Sequence, residues 1–325
     1  MAVFGHLFGH GEKPDKKMDM PELLPAIERA VSAVEPLLKQ VSGYPDSYRK
    51  PVAIALEYAH SLAASVPGPV AVDRESYARD AFVHALFPTM DSVREALCSS
   101  AALQDYRRDF PDGDELYALM GVRRREKTVV GMELSGQTIQ RDVVQKAVYF
   151  TSHTIENPAP SEQQARNQVA WSFFDSLVGK VKKRVELRKE VKQSQLQERD
   201  MLMARLRTAD AQARPALEEE LARMLSSMQS TISSLELSHY VEDFDAVLLN
   251  PGQYLRLVQT PIIMDSMGIR RESDDASMVG TVIFNDLIGF DRRNWTVTMV
   301  HCNNIQSESF AERLDKAYRK LAIYT

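Results

Sequence analysis

The chain has 325 residues, 44% hydrophobic and 26% charged, with a formal net charge of -5. That size accommodates two domains, or one domain carrying a large insertion, and the acidic balance excludes a global attraction to nucleic acid or anionic lipid. Two cysteines, Cys98 and Cys302, are too few for a disulfide framework or a cysteine zinc site.

Residues 1–18 read as a flexible tail. FGHLFGHG places His6 and His10 four apart, but the surrounding glycines oppose the helix that would aim both at one metal ion. The stretch also lacks a basic run ahead of its short apolar segment, so it does not read as a signal peptide. With no apolar run of about 18 residues anywhere, the expectation is a soluble cytoplasmic protein without a membrane span.

Residues 19–121 are expected to form a helical bundle. Leu23, Leu24, Ile27, Val31, Val34, Leu37, Leu38 and Val41 recur at three- and four-residue steps. Ser47 is a candidate cap for a second helix carrying Ile54, Ala55, Tyr58, Leu62 and Val66, which VPGPV then breaks. Asp73 and Thr89 are candidate caps for a third helix (Tyr77, Ala81, Leu86) and a fourth (Val93, Ala96, Leu97, Leu103). FPDGDELYALMG reads as one or two further helical turns ending at Gly121.

The pattern changes after Arg123–Lys127. TVVGMEL, a turn at SGQ, and VVQKAVYFTSHTI have the β-branched and aromatic content of paired strands. ENPAPSEQQ punctuates the chain, with Ser161 and Gln164 in capping-box spacing. Residues 161–239 then read as a long antiparallel helical hairpin turning at TADAQARP, whose first arm would span about 70 Å if unbroken. In its second arm Leu217, Leu221, Met224, Met228 and Leu235 lie on a heptad seam. Strand character returns in AVLLN, YLRLV, TVIFNDLIGF and WTVTMVHC, with residues 259–280 reading as a long polar loop, and SESFAERLDKAYRKLAIY closes the chain as an amphipathic helix.

Neither β-rich region suffices for a closed sheet. The expected architecture is therefore α+β: an N-terminal helical bundle, then a small antiparallel, barrel-like β-domain of residues 122–160 and 240–325, split by the inserted coiled-coil hairpin.

The most unusual segment is KVKKRVELRKEVK. Lys180, Arg184, Arg188 and Lys192 step by four and form a ladder, widened by Lys182, Lys183 and Lys189 and opposed locally by Glu186 and Glu190. With a turn near residue 211, Glu218–Glu220 would face Arg205 and Arg207, whereas the segment opposite the ladder, Ser230 to Glu242, offers few carboxylates. A solvated face accounts for such a ladder, and so does a protein partner docking on it. An anionic membrane surface is a less favoured partner, and nucleic acid fits less well still, since no aromatic residues interleave with the basic ones.

Asp275, Ser277 and Gly280 follow the spacing D-x-S-x-x-G. This resembles half of the signature of PilZ domains, small β-barrels that bind cyclic di-GMP. The other half is an Arg-x-x-x-Arg pair, approximated here by Arg123 and Lys127, or by Arg270 and Arg271 without the spacing. The resemblance implies a ligand-sensing barrel in which those basic groups would grip the phosphates.

Fragments of enzyme motifs do not assemble into a catalytic set. Glu57 and His60 form one E-x-x-H, with Asp80 and His84 on a neighbouring helix, but a di-iron bundle needs a second copy. Ser47 and Lys50 lack the companion motifs of the S-x-x-K hydrolases. His301 and Cys302, adjacent in a strand, point to opposite faces. The expectation is a non-enzymatic interaction or scaffold protein, with no catalytic residue, metal or cofactor, that docks a protein partner or self-associates through its hairpin. The alternatives are the ligand-sensing barrel, a nucleic-acid-associated factor and a metal-dependent enzyme in the N-terminal bundle.

Overall fold

The computed structural model describes residues 20–110, 115–135, 138–233, 236–265, 267–271, 279–289 and 294–303. The expected N-terminal tail and C-terminal helix lie outside them. The fold is α+β, with a β-barrel interrupted in sequence by a long helical hairpin.

The bundle draws on more of the chain than its N-terminal part. Helices α1 (Met20–Val34) and α2 (Arg49–Ser65) bury Leu23, Ile27, Val31, Val52, Leu56 and Leu62 against Ala165, Phe174, Leu177, Val181 and Val185 of a distant helix, α7 (Glu162–Thr208). Arg166 ties the start of that helix to the end of α2, donating to the carbonyls of Ala63 at 2.8 Å and of Val66 and Gly68 at 3.0 Å. Ala63 is in the last turn of α2, and Val66 and Gly68 lie just past its end. Ser47 does not cap α2. A 3-10 turn, Asp46–Tyr48, leads into the helix instead, with Tyr48 buried and donating its hydroxyl to Leu38 O.

After a two-residue strand, β1 (Val70–Ala71), four short helices follow: α3 (Arg74–Arg79), α4 (Ala81–Leu86), α5 (Met90–Ser99) and α6 (Ala101–Asp109). Asp73 caps α3 and Thr89 caps α5, the latter in a reciprocal capping box with Ser92. Asp80, read as a site candidate, instead interrupts the expected third helix and caps α4 with its carboxylate.

The expected helical turn at residues 115–121 is strand. β2 (Glu115–Ser135) alternates Leu116, Ala118, Met120 and Val122 on one face with Tyr117 and Leu119 on the other, and the two faces enter different cores. Leu, Ala and Met favour a helix locally, but pairing with a strand on each side overrides that preference. β2 pairs antiparallel with β3 (Thr138–Ala159) and with the last strand, β6 (Asn294–Asn303). The order runs β3-β2-β6-β5-β4, with β4 (Arg256–Asp265) and β5 (Val279–Ile288) completing it and β1 parallel to β6.

The two edges of this sheet are joined. Gly268–Arg271 folds back from β4, bonding Asp265 N to Ile269 O at 3.0 Å and Arg271 N to Ile263 O at 2.9 Å. On its other side it bonds β3, through Val148 N to Gly268 O and Arg270 N to Lys146 O, both 2.8 Å. Closure removes the edges that an open sheet would expose. The supposed polar loop from 259 is thus strand as far as Asp265, while residues 272–278 lie outside the described set. Beyond the closing bridge, β2 and β3 continue as a two-stranded ribbon whose Val130, Met132, Ile139 and Val144 are exposed. The barrel's interior face (Met120, Phe150, Ile262, Phe284, Val300) packs with Leu86, Phe87, Val93 and Leu103 of the short helices.

AVLLN is a second departure: it ends helix α9 (Leu237–Leu248) and the turn after it. Tyr240, Phe244, Val247 and Leu248 fall on one helical stripe buried in the bundle, a longer-range period than the β-branched content of the last residues suggests.

Gly268 has φ of +76°, and a Cβ there would meet Val148 O at 2.9 Å. Gly268→Ala is expected to lower stability by about 1–3 kcal/mol in denaturant titration. It should also speed amide exchange at Val148 while leaving α1 and α2 protected.

Candidate functional site

The hairpin is one continuous 47-residue helix, α7, and a 20-residue return helix, α8 (Arg214–Ser233), joined at residues 209–213. The expected second arm to residue 239 ends earlier: α8 stops at Ser233 and α9 begins at Leu237, packing on α7 and α2. Asp210 closes the tip by accepting from Gln212 N and Ala213 N at 3.1 and 2.8 Å. The first half of α7 belongs to the bundle core; the second half, with α8, stands off the body as an arm.

The basic ladder sits at the root of that arm, and it is largely engaged there. Asp243, 2% exposed, receives Arg184 Nε on one carboxylate oxygen at 2.8 Å and Arg188 Nε on the other at 2.6 Å. Bonding to this carboxylate raises the Arg188 guanidinium further above its usual range. Arg184 also reaches the Tyr254 hydroxyl at 3.4 Å, and Lys180 lies over the Tyr254 ring at 5.9 Å. Lys189 pairs with Glu35, just before the 3-10 turn that follows α1. The expectation that the ladder lacks opposing carboxylates is therefore corrected. Its partner is α9, which occupies the place assigned to the second arm, and a single buried aspartate takes up two of its four rungs. Lys192, the last rung, is exposed. The proposed pairing of Glu218–Glu220 with Arg205 and Arg207 does not form: none of these five residues has an ion pair among the described residues.

The arm carries apolar side chains on two of its sides, one buried between its helices and one exposed. Between its helices lie Leu202 of α7 and Leu217 and Met228 of α8, all buried, with Leu206, Leu221 and Met224 half-buried and Gln195 bonded to Ser227 at 3.1 Å. On a different side of α7, Leu187, Val191 and Met201 are 51%, 51% and 61% exposed. Large apolar groups aligned on an exposed helix mark an interaction surface more often than isolated ones do.

The barrel candidates are dispersed. Arg123 stacks its guanidinium over Trp295 at 4.7 Å and Lys127 lies over Tyr149 at 5.5 Å. Gly280 is in β5, paired with Met264, whereas Asp275 and Ser277 lie outside the described residues. Arg270 pairs with Glu126 and Arg271 with Asp265. The barrel also holds a polar cluster that no sequence motif marks: Asp286 in β5 accepts from Arg124 at 2.8 Å and from Thr260 and Thr296 at 2.7 Å each, drawing on β2, β4 and β6. Only its alternation within FNDLI, a carboxylate at a core-facing strand position, could have flagged it. With every carboxylate oxygen satisfied, it holds strands together and leaves no acceptor for a substrate.

The enzyme-like fragments remain apart. Glu57 and Tyr58 line an open cleft of about 470 Å³ between α2 and residues 250–253, and the Tyr58 hydroxyl donates to Leu255 O at 2.7 Å. His301 stacks on Tyr117 at 4.4 Å, while Cys302 is buried and its thiol is pushed up to about 12 by that burial, so it is not a nucleophile at neutral pH. Among the described residues no three His, Cys, Asp or Glu side chains are grouped to hold a metal ion, and no helix is long and apolar enough to cross a membrane. The chain matches no protein-family model, no curated protein and no solved structure.

Asp243→Asn should leave two guanidiniums facing a neutral amide at a buried position. It is expected to cost about 2–4 kcal/mol in urea titration, with faster amide exchange across α9.

Proposed function

We propose that this is a non-enzymatic interaction protein whose α7–α8 arm is the docking element. The observation that carries the reading is the exposed apolar row Leu187, Val191 and Met201 on an arm that stands off the body. A two-helix arm buries little by itself, and such a surface gains most when a partner covers it. The root of the arm is suited to this role: α7 is unbroken from the bundle core to its tip, and Asp243 pins it against α9, so the arm is presented at a fixed angle. The basic ladder is then a fastening of the arm to the body more than a docking face, and the exposed apolar row is the surface that remains.

Val191→Glu with Met201→Glu tests this. Both positions are exposed, so the monomer should keep its melting temperature and circular dichroism. Assembly, followed by sedimentation velocity across micromolar concentrations, should be lost. Unchanged assembly in the double variant would remove the arm from its role.

A second reading, a ligand-sensing barrel, is favoured by the closure of the sheet and by the basic pair Arg123 and Lys127 on β2. Calorimetry with cyclic di-GMP should show heat that Arg123→Ala abolishes; no heat at high micromolar ligand would dispose of it.

A further inference from the structure

We propose that the partner on the exposed face of α7 is a second copy of the same chain, packed antiparallel about a two-fold axis at the level of Leu196 along the helix. This rests on the arm being the docking element and adds the identity and register of what docks there.

The exposed row is longer than its three apolar residues. Leu187, Val191, Ser194, Glu198, Met201 and Arg205 are all exposed and follow one another at alternating steps of four and three. That is the spacing of a coiled-coil seam, and it lies about a quarter-turn from the residues that face α8. The arm therefore has one seam filled by its own return helix and another on which no element packs among the described residues.

The open seam is symmetric about its midpoint, as an isologous contact requires. Run antiparallel against itself with Leu196 at the centre, it sets Val191 against Met201 of the second copy, twice, and Ser194 against Glu198. At each end Leu187 meets the aliphatic stem of Arg205, whose guanidinium comes within reach of Glu190 of the other copy. Glu190, Glu198 and Arg205 have no ion pair among the described residues.

A parallel pairing of the same two helices is disfavoured by charge. It would stack Glu198 on Glu198 and Arg205 on Arg205 at the seam, where like charges lose solvent and repel. Only the antiparallel register places each charged seam residue against a neutral or opposite one. Leu187 at the inner end of the seam is half-exposed, so the body leaves that end open to the tip of the second copy.

The test uses spin labels on the full chain. Cys98 is replaced by Ser, while Cys302 is buried and unreactive and stays in place. Gln193→Cys and Arg207→Cys are labelled in separate variants, both positions being exposed and off the seam. Antiparallel pairing separates the two labels of a dimer along the axis by about 9 Å at position 193 and about 33 Å at position 207, at 1.5 Å per residue. To these is added the offset between helices about 8–10 Å apart. A dimer with this pair of distances, weakened about a hundredfold or more by Val191→Glu, establishes the contact. Equal short distances at both positions mean parallel pairing and overturn it, and so does a full chain that sediments as a monomer across the same concentrations. A dimer that survives Val191→Glu with Met201→Glu overturns both the register and the docking role of the arm, which separates the two failures.

Discussion

The two-arginine grip on Asp243 is the contact on which the layout of the molecule turns. It fastens the midpoint of α7 to α9, at the place where the chain, after running out along the arm and back, re-enters the body to build the second half of the barrel. A carboxylate that is nearly wholly buried is tolerated because both of its oxygens are bonded to guanidiniums that keep part of their own hydration. The same grip converts what reads as a free basic face into an internal joint.

The rest follows from α7 being continuous. One half of the helix is an element of the bundle, packed on α1, α2 and α9; the other half is the arm. A helix without proline or a bulge between these halves transmits orientation stiffly, so the arm inherits its direction from a hydrophobic core some turns away. The barrel is joined to the same core through the outward face of β2 and β6, where Leu119, Val297 and Met299 meet the bundle. Body and arm are thus parts of one packing arrangement, and a surface on the arm is held in a set place.

Much of this was legible in the residues. The caps Asp73 and Thr89, the turn near 211, the heptad seam of the return helix from Leu217 to Met228 (Leu235 lies outside the described residues) and the splitting of the barrel around a hairpin all rest on local rules: spacing, caps and turn residues. So does the cap at Ser161, which accepts from Gln164 N at 3.4 Å without the reciprocal bond of a capping box. The failures have one cause. ELYALMG has the composition of a helix but lies between two strands, AVLLN has the composition of a strand but ends a helix whose core-facing stripe begins at Tyr240, and Ser47 sits in a 3-10 turn held by buried Tyr48. In each case a contact far along the chain outweighed a preference of a few tenths of a kcal/mol per residue.

The sequence by itself determined that a long charged helix would leave the body and return, because a 3.6-residue period and one proline-bearing turn suffice to state it. Only the tertiary structure decided which of that helix's charges are spent and which surface is left open. Whether Arg184 and Arg188 face water or Asp243 depends on the direction in which α9 comes back, and that direction is set by the burial of Tyr240, Phe244 and Val247 in a core shared with residues more than a hundred positions away. Charge is read from the letters; its neutralisation is a property of distance, and distance between remote segments exists only once the core has formed.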